Sequence, residues 1–430
     1  APFYPVVSLL KECGYGVHYI LHNLNKILLC RKDIIGKSMI AFLISILLST
    51  YLTVVKPEAA LNPSLIATVM IVVATLFVAV LAFELPLAWI PLHQAEQNVT
   101  PGILEMFRKD KVVKLINAWL GFFALFSFFL ALVLSSIEWI PKYAVLGAWI
   151  LLLGASLDLI YHFTQRIMRY LNPIATVDLF AKGAIESIQE EREIDLCNWI
   201  DGITEIAYKA IQRNSTMLAN EALSQLQKIA RLFFISSKSI SHHAQDEQTK
   251  AFGITDKVSY TMFYLYQRLE LVFDKALQSK LEPTCSQIIT ILGKIAIDGA
   301  KFDISMATPP LRSMGKLLRQ AEEAGLGEVG LKGSCTLLEV AKAIINDIDI
   351  TYCELQDPYL SIINTLEDLA KMEFRRDKAV SIQLLKQPFY DLKELFTTGK
   401  AAGHQDAPII LQNIDRVIGE FDALEMVMRT

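Results

Sequence analysis

The sequence predicts an all-α protein: four transmembrane helices followed by a cytoplasmic helical domain. Three observations carry this. The 430 residues are 53% hydrophobic and 20% charged, with a mean hydropathy of +0.37, well above an ordinary soluble domain. Four apolar stretches approach or exceed the ~20 helical residues that cross a hydrocarbon core. Beyond Leu171 the apolar residues recur with helical rather than alternating period, and no strand pattern appears.

Residues 1–36 form the first element. Val6, Leu9, Leu10, Cys13, Val17, Ile20, Leu21, Leu24, Ile27 and Leu28 fall three or four apart, which makes one apolar face of an amphipathic helix. His18 and His22 share its polar face, but no third ligand accompanies them, so solvated histidines are the simpler reading. The transmembrane domain, 37–170, has spans from Ser38 to Val55, Ser64 to Leu92, Val113 to Ile137 and Tyr143 to Thr164. "KPEAALN" and "EWIPK" are tight turns, so the spans pair as two antiparallel hairpins joined by a longer polar linker.

Orientation follows from the flanking cations. Lys11, Lys26, Arg31, Lys32 and Lys37 precede the first span, Arg108, Lys109, Lys111 and Lys114 occupy the long linker, and Arg166 and Arg169 end the fourth span. The two tight turns carry only Lys56 and Lys142. Both termini and the linker are therefore expected in the cytoplasm, with the spans in an inner membrane. The net charge of -4 and the dispersed basic residues give no field for nucleic acid. The six cysteines lie far apart, with no C-x-x-C pair, and read as reduced thiols. The chain begins with Ala and shows no secretory signal before its first apolar stretch.

In the cytoplasmic domain, 171–430, a loose motif recurs: "LQKIA" at 226, "LELVF" at 269, "LGKIA" at 292, "MGKLL" at 314, "LLEVA" at 337 and "LEDLA" at 366. Alternate members step by about 44 residues, the size of a two-helix repeat. An α-solenoid of helical hairpins and a compact helical bundle both fit this pattern.

The linker and third span, "TPGILEMFRKDKVVKLINAWLGFFALF", place Pro101, Leu104, Phe107, Asp110, Leu120, Gly121 and Phe123 in a pattern that resembles a bacterial family of four-span membrane proteins of unknown function. The fourth span is similar to that family's last, with Tyr161 and His162 in an aromatic-Ile-His-His-like ending whose second His is here Phe163. The likeness covers residues 64–180 and implies topology only. The Ser-Pro-x-x-Asn-Asp-Pro motif of that family's soluble part is absent.

No sequence motif supports enzymatic activity, a cofactor or a metal. "GLGEVG" at 325–330 fits G-x-G-x-x-G, but it follows a helix instead of a strand, and Gly325 reads as a helix C-cap. "GKS" at 36–38 lacks the first glycine of a phosphate loop, and His242-His243 stands alone in a polar stretch.

The costly residues lie in the spans, where a central carboxylate costs about 2.5 to 3.5 kcal/mol on insertion scales. Asp158 lies about 22 Å into the fourth span, with His162 one turn later on the same face. Glu84 lies about 30 Å into the second, at the inner edge, followed by Pro86, which is expected to kink or break the helix. Gly147 and Gly154, seven apart, offer a stripe for close helix packing. These residues lead to an expected oligomeric ion channel or pore, a homo-oligomer in the lipid bilayer, with Glu84, Asp158 and His162 on the ion pathway and the helical domain as assembly or gating element. The alternative is a membrane-anchored scaffold or accessory subunit that docks a protein partner through its helical domain.

Overall fold

The computed structural model describes residues 63–98, 102–136, 142–237, 257–378 and 380–429. The expected amphipathic helix at 1–36, the first span, the first tight turn, the second up to residue 141 and the histidine pair at 242–243 lie outside them. Every regular element among the described residues is helical. The chain divides into two units, one holding 63–94 and 103–171, the other 95–102 and 172–429.

The first unit contains α1 (Pro63–Asn98), α2 (Ile103–Lys109), α3 (Lys111–Ser136) and α4 (Lys142–Leu171). Three of these, α1, α3 and α4, are long and apolar enough to cross a membrane. α1 runs on through Pro86 and Pro91 to Asn98 instead of ending after Glu84. The α3–α4 pairing rests on a heptad-like seam. Val113, Ile116, Leu120, Phe123, Ser127 and Leu134 of α3 are buried, and on α4 the buried positions Trp149, Ser156, Phe163 and Tyr170 fall seven apart. A seven-residue repeat keeps one stripe turned toward an antiparallel neighbour. The seam is pinned by two reciprocal bonds: the Trp119 indole donates to Ser156 Oγ at 3.2 Å, and the Trp149 indole donates to Ser127 Oγ at 2.9 Å. Phe123 also meets the Phe77 ring of α1 edge-on at 4.9 Å.

The second unit opens with Asn172-Pro173. The Asn172 side chain caps α5 (Pro173–Gln189) by accepting from the Ile174 amide, and Pro173 sits where its missing donor costs nothing. Then follow α6 (Glu193–Gln212), α7 (Thr216–Ser237), α8 (Lys257–Gln278), α9 (Glu282–Phe302), a 3-10 turn (Ile304–Ala307), α10 (Thr308–Glu323), α11 (Gly327–Asp347), α12 (Gln356–Arg376), α13 (Ile382–Thr397) and α14 (Ala407–Arg429). Their contacts define two layers: α6, α8, α10, α12 and α14 pack in succession in one, and α7, α9, α11 and α13 in the other, with α5 against α6 and α7. The segment 95–102 belongs to this unit, where Lys209 Nζ donates to the Glu96 carbonyl at 3.2 Å.

The recurrent motif is the apolar ridge of each helix. Its members at 226, 292 and 337 lie on α7, α9 and α11, those at 269, 314 and 366 on α8, α10 and α12, and their first, fourth and fifth residues are all buried. Alternation along the sequence is therefore alternation between layers. The motif's second position is glycine in α9 and α10. A Cβ on Gly293 would lie 2.4 Å from Thr336 Cγ2, and one on Gly315 would lie 2.6 Å from Thr365 Oγ1. Each threonine immediately precedes the motif of the next helix in the same layer, so the two contacts are one repeated packing rule.

The turns repeat as well. After α6, α8 and α10 the chain closes with the same backbone bond, from Ser215 to Ala210, Leu281 to Ala276 and Leu326 to Ala321, around left-handed Asn214, Lys280 and Gly325. This is the Schellman closure of a helix end. Gly325 (φ +79) thus caps α10, as expected of "GLGEVG". On the return, Asp303 accepts from the Ser305 amide and hydroxyl, and Asp349 from those of Thr351, with Ile304 and Ile350 buried beside them.

Ion pairs join every neighbouring pair in the first layer, among them Arg268 to Asp201 at 2.6 Å, Lys316 to Glu270 at 2.6 Å, Arg319 to Asp368 at 3.6 Å and Arg416 to Glu367 at 2.7 Å. Most are exposed, and exposed pairs contribute about 0 to 1 kcal/mol each. Glu367 differs, with its side chain 12% exposed. Burial pushes its carboxyl up, but Arg416 and Lys371 outweigh that and hold it below the ordinary value of 4.5.

Three glycines should respond to alanine with different signs in a thermal or denaturant melt. Gly293→Ala is expected to destabilise by about 1 to 3 kcal/mol through overpacking. Gly325→Ala should cost about 1 to 2 kcal/mol from its left-handed backbone alone. Gly419→Ala, in mid-helix with nothing within 4 Å, should stabilise by about 0.5 to 1 kcal/mol. Because the folded value of Glu367 is depressed, its contribution is present above the unfolded value and is lost as pH falls through the folded one. Melts of Glu367→Gln should accordingly show a shallower loss of stability below 4.5 than the parent chain.

Candidate functional site

Two groups of polar residues in the first unit involve α4. The first joins α4 to the α2–α3 elbow. α2 is a single amphipathic stretch whose Ile103 and Phe107 are buried, and Gly102 enters it with φ +71. Asp110 then begins α3: its carbonyl accepts from the Lys114 amide, and its Oδ1 accepts from the Val112 amide at 2.9 Å. This is helix capping by a carboxylate. The other oxygen, Oδ2, accepts from Tyr170 Oη at 2.9 Å and is paired with the Arg166 guanidinium. The Asp110 side chain is 5% exposed and that of Arg166 34%. Phe107 closes the cluster, edge-on to Phe163 at 6.0 Å and to Tyr170 at 5.8 Å.

Within this cluster, Asp110 was visible in the sequence only as one position of a family-like pattern, and Arg166 only as a flanking cation. Tyr170 carried no signal. A carboxylate and an arginine 56 residues apart meet only because α3 and α4 are antiparallel and their seam sets the register.

The second group is the one expected on an ion pathway. Asp158 is half-buried, and its Oδ2 is shielded from solvent with no hydrogen-bond partner among the described residues. His162 stands one turn on, its ring 5.9 Å from Tyr161 and nearly perpendicular to it. No hydrogen bond joins Asp158 and His162. At 100° per residue, Gly147, Gly154, Asp158 and His162 share a face of α4 that lies away from the seam of Trp149, Ser156, Phe163 and Tyr170. Gly147 and Gly154 are both partly exposed there. The α3–α4 packing is thus carried by the buried tryptophan and serine, and the glycine stripe belongs to the Asp158 face. Glu84 lies within α1, and its side chain and that of Pro86 are outside the described residues.

Among the described residues, no group of three or more His, Cys, Asp or Glu could hold a metal ion. The four described cysteines are free thiols. Burial pushes Cys197 up to about 11 and Cys285 up to about 12, so neither is a thiolate nucleophile near neutral pH.

Removing one partner of a buried pair leaves an uncompensated charge. Arg166→Met should destabilise the first unit by about 3 to 5 kcal/mol, whereas Arg108→Met, at an exposed position of α2, should stay within about 0.5 kcal/mol. Thermal melts of the full chain in detergent distinguish the two; equal shifts would remove the special role of the Asp110 pair.

Neither a family model nor a curated protein matches the chain. A solved structure, described as a circular tandem repeat protein with novel repeat topology and enhanced subunit contact surfaces, aligns over 83% of this chain and 84% of its own, with 16% sequence identity and a TM-score of 0.36.

Proposed function

We propose that the chain is an integral membrane protein whose second unit, an α-solenoid of stacked hairpins, is a docking platform for a protein partner at the cytoplasmic membrane surface. The observation that supports this best is the contrast between the two units' surfaces. The long helices of the first turn large apolar side chains outward, among them Leu125 at 73% and Phe129 at 64% exposure. Such a surface suits lipid and not water. The second unit carries ion pairs between neighbouring helices of both layers, and a two-layer hairpin stack presents an extended face that suits protein recognition. The Lys and Arg residues at 108–114 and 166–169 place the α2–α3 elbow and the end of α4 on the cytoplasmic side under the same reading.

A second reading, the oligomeric pore, is favoured by one observation: the shielded, unpartnered Asp158 oxygen on the small-residue face of α4. A carboxylate left unpaired at that depth fits a path or a neighbouring copy. The two readings part on one pair of measurements. The chain should resist alkaline carbonate extraction from bilayers and recover a stoichiometric protein partner that Asp158→Asn does not remove. Cation flux through reconstituted vesicles that falls in Asp158→Asn would favour the pore instead, and extraction by carbonate would overturn both.

A further inference from the structure

Resting on the membrane reading above, we propose that the outward face of α3, with the cations of the α2–α3 elbow, binds an anionic phospholipid of the cytoplasmic leaflet. Lys111, Lys114, Leu115, Ala118, Phe122, Leu125, Phe129 and Leu132 recur at three- and four-residue spacing, and every one is exposed. They form a single stripe, cationic at its start and apolar for the rest. From Lys114 to Leu125 the helix rises about 16 Å, half of the ~30 Å hydrocarbon core. One acyl chain of one leaflet fits that length when its phosphate lies at the two lysines.

The charge at the elbow is uncompensated. Among the described residues Arg108, Lys111 and Lys114 pair with no carboxylate, and Glu105 is engaged with Lys109 at 2.6 Å. The one other carboxylate in that stretch, Asp110, is turned inward and held by Arg166, Tyr170 and the Val112 amide. Sequestering Asp110 leaves the outer surface of the elbow positive. Such a surface selects an anionic headgroup over a zwitterionic one, whose own cation would face the lysines. An acyl-bearing phosphate accounts for both ends of the stripe; a free phosphate accounts for one.

The test uses the full chain in phosphatidylcholine vesicles containing phosphatidylglycerol, one of the two lipids carrying brominated acyl chains that quench tryptophan fluorescence. The relative association constant should favour phosphatidylglycerol. That preference should fall about 25-fold in Lys111→Gln with Lys114→Gln, at about fivefold per cation lost. It should also weaken in the parent chain as salt is raised, a measurement that needs no variant, and millimolar inorganic phosphate should leave it unchanged. If the chain withstands carbonate extraction but shows no preference, or one that the double variant retains, the lipid site is overturned and the membrane reading stands. Competition by inorganic phosphate would reassign the cations to a soluble anion and equally overturn it. Release from pure phosphatidylcholine vesicles by carbonate overturns the membrane reading itself, and this site with it.

Discussion

How closely two helical backbones approach is set by the small side chains between them, and both units are built on that distance. In the first unit, Ser127 and Ser156 stand where bulkier residues would push α3 and α4 apart, and each returns its hydroxyl hydrogen to its own helix while accepting from a tryptophan of the other. In the second, Gly293 and Gly315 let a threonine of the next helix sit against the backbone. A hydroxyl that bonds the carbonyl four residues back is satisfied without a partner across the interface. Polar but self-satisfied small residues therefore serve equally well against lipid-like and water-like surroundings, and the same device recurs in both.

Both units hold charged side chains in ion pairs, and both take some of them out of water. The second unit's ion pairs join its neighbouring helices, most of them exposed and each adding little, but the Lys386 side chain is 3% exposed between Asp422 and Glu425 and that of Glu322 is 5% exposed beside Arg376. In the first unit Asp110 is taken out of water. A carboxylate buried to that degree costs several kcal/mol unless fully satisfied, and here a guanidinium, a phenol and a backbone amide meet it together. The cluster fixes the α2–α3 elbow against the end of α4.

That arrangement shapes what remains on the surface. With Asp110 inside, Lys111 and Lys114 face outward with no carboxylate paired to them among the described residues, at the start of an apolar stripe. On α4 the seam takes Trp149, Ser156, Phe163 and Tyr170, leaving Asp158 and the two glycines on another face. The residues with functional potential are thus those the packing does not use, and their grouping is a consequence of which stripe each helix spends on its neighbour.

The sequence by itself determined the helical class, the apolar lengths and the C-cap at Gly325, because these depend on local periodicity and on backbone conformations that a single residue type favours. The recurrent motif was legible too, since six buried ridges must repeat in apolar spacing. What the ridges pack against was not legible: the two Gly–Thr contacts join residues 43 and 50 positions apart, and no local pattern encodes a partner at that range. Prolines at 309, 310 and 358 mark the two helix starts in the sequence, whereas the Asp-Ile-Ser and Asp-Ile-Thr turns just before them rest on side chains that mimic a backbone turn. For the candidate site, insertion cost singled out Asp158 and Glu84, whereas Asp110 passed as a linker residue. Only the tertiary structure decided that Asp110 is buried, because its burial depends on Arg166 and Tyr170 arriving from a helix that runs the other way.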